Sequence, residues 1–164
     1  QLNLLLERRF APSDVFEQVT RGIAYASRLL ESFPDATTIP EAPKFETGKR
    51  PSDVYRLLLL CFEQIRRIAR TSGLEMLELK ATESQIAQAE PSDVYDIASL
   101  LVSELAFLHS QLDGAEPPRE VYYVGRKFPS HVYQRVGILK RQLTELVKLT
   151  TEHPGWLSSR DDPL

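Results

Sequence analysis

Apolar residues recur along this chain at alternating spacings of four and three in four separate stretches. The first carries Val15, Val19, Gly22, Ala26, Leu29 and Phe33, and the second Val54, Leu58, Cys61, Ile65 and Ile68. The third carries Val94, Ala98, Leu101, Leu105, Leu108 and Leu112, and the fourth Val132, Val136, Leu139, Leu143 and Leu146. Such alternation is the seam of helices packed nearly side by side. An aromatic follows each leading valine: Phe16, Tyr55, Tyr95 and Tyr133. With Ile23, Phe62 and Val102 these start a second row that widens the apolar face. Lys140 falls in that row of the fourth stretch and predicts a wetter flank there.

The pattern predicts four helices, at about 13–33, 52–72, 92–112 and 130–152, within a single domain spanning 1–164. Each opens on a copy of one phrase: Pro12-Ser13-Asp14-Val15-Phe16, Pro51-Ser52-Asp53-Val54-Tyr55, Pro91-Ser92-Asp93-Val94-Tyr95 and Pro129-Ser130-His131-Val132-Tyr133. The prolines lie 39, 40 and 38 residues apart, which marks a tandem internal repeat. Ser13, Ser52, Ser92 and Ser130 read as N-caps. Asp14, Asp53 and Asp93 then occupy the first turn, where the helix dipole favours a carboxylate, and His131 takes that place in the fourth copy. All eleven prolines lie outside the predicted helices, as their cost inside one requires. The expected fold class is all-α: a four-helix bundle of four tandem repeats of about 39 residues, joined by long extended linkers.

Each linker is about 17 residues, well beyond the two to eight usual between bundle helices. Residues 34–50 are proline-rich and polar, and residues 74–89 have room for a short helix. The stretch Glu120-Val121-Tyr122-Tyr123-Val124-Gly125 can run extended along the helices. A helix of twenty residues is about 30 Å long, and 17 extended residues outreach it. Each linker can therefore return the chain to its starting end and make all four helices parallel. An up-down arrangement with long loops satisfies the same pattern. Both topologies stay open at this point.

Function turns on that choice. Parallel helices would bring Asp14, Asp53, Asp93 and His131 to one end, together with Tyr55, Tyr95 and Tyr133, as a candidate ligand site. Carboxylates and an imidazole suit a cation, whereas helix N-termini suit an anion. Antiparallel helices would divide these groups two and two. The simpler account of the phrase is helix initiation copied by duplication.

Composition narrows the classes. An apolar fraction of 42% with 26% charged residues is that of an ordinary globule. The formal charge of −3 argues against a nucleic-acid partner, which needs a clustered basic face. No apolar run is long enough for a membrane span. Charge is nonetheless uneven: Glu90 to Glu116 holds six acidic residues and no Lys or Arg, and Arg119 to Lys148 holds seven basic residues against two acidic. Either the third and fourth helices are neighbours with complementary flanks, or the basic segment faces an acidic partner. In the second case Arg126, Lys127 and Arg135, with Tyr122 and Tyr123 of the preceding linker, are the candidate contacts. Trp156 is expected to clamp the tail onto the helices.

Cys61, the only cysteine, sits in an apolar run and reads as a small buried hydrophobe. Gly22 lies on the seam itself, where a missing side chain lets a neighbour approach. No phosphate-binding loop, nucleophile elbow or metal-ligand spacing occurs, so no enzyme activity, cofactor or metal is expected. The expected role is a non-enzymatic interaction or sensory module presenting helix ends and linkers to a protein partner. The alternative is a small-ligand or ion binder using converged helix N-termini or a core cavity. The start at Gln1 suits a cleaved export signal or a trimmed boundary. An extracytoplasmic bacterial setting, periplasmic or secreted, is therefore expected, with a cytoplasmic one as alternative. Oligomeric state is not written in the sequence.

Overall fold

Proline opens each of the four long helices of this chain. The computed structural model describes residues 11–76, 79–112, 114–119 and 125–157, and these are all-helical with no strand among them. The elements are α1 (Pro12–Glu31), α2 (Pro51–Thr71), a short α3 (Glu83–Ala87), α4 (Pro91–Ser110) and α5 (Pro129–Glu152). The short helix falls inside the 74–89 stretch where one had room to form.

The helix starts differ from the sequence expectation in one respect. Proline is the first helical residue in each case, because its missing N–H is one that a first turn leaves unbonded anyway. The N-caps are therefore Ala11, Arg50, Glu90 and Phe128, all extended, and the four serines are second helical residues rather than caps. α1 and α4 also stop two residues sooner than the periodicity suggested. Phe33 and Leu112 still reach the core from the turns that follow.

Every seam residue named from the spacing is buried. The long helices run in the same direction and in register. A methyl group added to Gly22 would lie 3.4 Å from Leu139, 3.6 Å from Leu105 and 3.7 Å from Leu101. Gly22, Leu101 and Leu139 each stand ten residues past the proline of their own copy. α1 packs against α4 and α5, and α2 against the same two, so α1 faces α2 across the core and α4 faces α5. The expectation that the third and fourth predicted helices are neighbours is thereby corrected. Their opposite charges lie on opposite sides of the molecule.

Parallel helices force each linker to travel the helix length. Residues 38–49 do so as a strap down the outside of α5. Gln142 Nε2 donates to Thr38 O at 2.7 Å and Arg141 donates to Glu41 O at 2.6 Å. Lower down, Gln134 donates to Pro43 O at 2.9 Å, and Lys49 N–H donates to Ser130 Oγ at 3.1 Å. Gly137 makes room for the strap: a Cβ there would come within 2.6 Å of Pro43 Cγ. Gln142, 1% exposed, also donates to Ile23 O and so ties strap, α5 and α1 together.

At the far end, Gly73 takes the left-handed conformation (φ 78°) that ends α2, with Leu74 N–H donating back to Ala69 O at 2.8 Å. Trp156 closes that end. It is 7% exposed, stacks on Phe33 at 5.4 Å and donates its indole N–H to Ser72 Oγ at 2.8 Å. This is the clamp expected of the tail.

Candidate functional site

Because the helices are parallel, their four starts meet. Pro12, Pro51, Pro91 and Pro129 with Val15, Val54, Val94 and Val132 line one socket of about 50 Å³. Ligand cavities usually span about 300–1,000 Å³, so this socket fits no more than a small apolar group.

The acidic residues of the phrase come to the same end but turn away from the socket. Asp14 Oδ2 accepts from Ala11 N–H at 2.8 Å, Asp53 from Arg50 N–H at 2.9 Å and Asp93 from Glu90 N–H at 2.8 Å. Each carboxylate thus satisfies an orphan donor of its own helix start and sits in the positive end of its dipole. His131 performs the same task, its Nδ1 accepting from Phe128 N–H at 3.0 Å, which places the ring proton on Nε2. Among the described residues no group of three or more His, Cys, Asp and Glu is placed to hold a metal ion. The expected constellation of Asp14, Asp53, Asp93 and His131 therefore shares an end but not a centre.

The imidazole adds what a carboxylate lacks. Its ring packs against Phe45 of the strap at 5.2 Å between centroids and against Phe128 at 5.8 Å. Phe128 is 53% exposed and Phe45 41%, so this is an aromatic patch open to solvent beside the socket. Neither phenylalanine belongs to the helical pattern. The available signal was the lone aromatic directly before the fourth proline.

The tyrosines of the phrase do not line the socket. Tyr95 OH accepts from Gln18 Nε2 at 3.2 Å, Tyr133 lies under Lys49 Nζ at 4.3 Å, and Tyr55 lines a shallow groove with Lys80, Gln85 and Asp93. Of the candidate partner contacts, Lys127 and Arg135 stack over Phe16 at 4.6 and 5.1 Å, and Arg135 also donates to Thr20. Arg126 stands 5.7 Å over the exposed Phe128 ring. Tyr122 and Tyr123 lie outside the described residues. Cys61 is wholly buried, and desolvation pushes its thiol up to about 12 despite the opposing charge of Lys140. It is protonated filler of the core.

No helix of the described residues is long and apolar enough to cross a membrane. No protein-family model, curated protein or solved structure matches the chain. The site must therefore be read from its own chemistry.

Proposed function

We propose that the chain is a parallel four-helix bundle of four tandem units, and that it serves as a non-enzymatic interaction or sensory module. Its N-terminal end is the docking face for a protein partner. The observation that carries this reading is the pair of exposed phenylalanines, Phe45 and Phe128, bracketing His131 beside an apolar socket. Phenylalanine and arginine are both enriched in protein–protein interfaces relative to the rest of the surface. Arg126 supplies that cation, and exposed Arg50 enlarges the basic rim.

The ion- or ligand-binding alternative draws support only from the meeting of four helix N-termini. The socket's proline and valine lining suits one small apolar side chain from a partner better than an ion.

A photo-crosslinking residue placed at Phe128, and separately at exposed Phe107 on α4, tests the docking face in the native host. The reading expects one defined protein adduct from position 128, abolished by Phe45→Ser, and none of that mass from position 107. Equal adducts from both positions, or none from 128, would reject it.

A further inference from the structure

Between the strap and the α2–α5 junction lies a second concavity, lined by residues other than those of the end-on socket. It measures about 460 Å³, within the range of small-molecule sites. Pro43, Lys44 and Glu46 of the strap form one wall, and Leu57 of α2 contributes an apolar surface. The wall is fixed in place, since Gly137 admits Pro43 and both Gln134 and Arg141 hold strap carbonyls.

Its charge leans positive. Lys44, Lys140 and Arg141 line it against Glu46 and Glu145. Glu46 is already engaged by Lys49 Nζ at 2.8 Å, which leaves Glu145 as the opposing carboxylate. Neither Lys44 nor Lys140 has an ion-pair partner among the described residues. Lys140 is half-buried, and its charge is felt by the Cys61 thiol inside α2. A lysine held at a helix junction without a counter-ion gives up part of its hydration for nothing in the folded chain itself. An anion in the groove would supply the missing partner, and Leu57 with the Tyr133 ring would cover its apolar part.

We propose that this groove binds a small organic anion: a phosphate or carboxylate headgroup, seated on Lys140, Lys44 and Arg141, carried on a compact apolar body. The site goes beyond the end-on docking face and shares no residue with it, so either can fail alone.

Titration calorimetry on the full chain tests it, with phenyl phosphate and benzoate as probes and benzyl alcohol as the neutral match, at chloride-balanced ionic strength. Saturable heat with either anion and none with the alcohol is expected. Lys140→Met keeps the aliphatic stem and should weaken binding about tenfold or more, roughly 1.4 kcal/mol. Lys44→Ala, on the exposed strap where folding is not at stake, should weaken it as well. Lys148→Met removes the same charge from α5 outside the groove and should leave affinity unchanged. Absence of saturable binding by both anions, or an equal loss in Lys148→Met, would overturn the assignment.

Discussion

The two ends of this molecule are built from different information. At the N-terminal end the same few residues appear four times, and the result is an open, near-symmetric ring of prolines and valines. At the C-terminal end single residues close the core: Phe33 after α1, Ser72 after α2 and Trp156 from the tail. Duplication can supply four identical helix starts. It cannot supply a single lid shared between helices, as Trp156 is shared between the ends of α1 and α2. The open end consequently leaves an apolar socket uncovered, and the far end is closed over its core.

The sharpest way to break this contrast is to remove the lid. Trp156→Ala should cost about 3–5 kcal/mol in chemical denaturation, the range for deleting a buried large aromatic. A smaller effect is expected at the open end, where each helix start is capped separately. Asp53→Ala should cost about 1 kcal/mol by the same measurement, since it frees one N–H and one dipole interaction while the other three copies stay intact.

The ends should also respond differently to acid. His109, in the last turn of α4, is 5% exposed and edge-on to Tyr25 at 5.4 Å. Burial first, and then the nearby Arg28 charge, lower its pKa below the usual 6.5. Above that value the ring is neutral folded and unfolded, and it contributes nothing to pH dependence. As pH falls through about 6.5 the unfolded chain takes up the proton first, so stability is lost toward the lowered folded value. Melting temperatures from pH 7.5 to 5 should therefore fall more steeply for the native chain than for His109→Phe. Parallel slopes would remove the acid-sensitive end from the account. The smallest effect belongs to His131→Asp. Restoring the residue of the other copies should change stability by only a few tenths of a kcal/mol, because one acceptor replaces another at the same N–H.

Much of the helical core was legible because burial on a long helix leaves a period. All the four-three positions proved buried, Cys61 and Gly22 included. The caps were misplaced by two residues, from Ser13 to Ala11 and likewise in each copy. Proline before serine reads equally well as a stop before a cap or as a first helical residue, and the aspartate reaching back decides for the second. Helix order was hidden because linkers long enough to return the chain are also long enough to wander. The pairing of the acidic and basic helices failed for the same reason: charge along a sequence carries no information on which helices adjoin across a core. Gln142 and the strap it anchors left no periodic trace, since the strap's bonds run from side chains to its backbone carbonyls. Phe45 and Phe128 carry little signal, because solitary aromatics in linkers belong to no pattern.

The central claim is that all four helix starts meet at one end. Electron–electron distance measurement between spin labels tests it most directly, in a Cys61→Ala background with one pair at Ser13 and Ser52 and another at Ser13 and Thr71. A helix the length of α2 spans about 30 Å. Parallel helices make the Ser13–Ser52 distance the shorter of the two, by roughly 10 Å or more on that geometry. A Ser13–Thr71 distance shorter than Ser13–Ser52 would mean that the first two long helices run in opposite directions, and would contradict it.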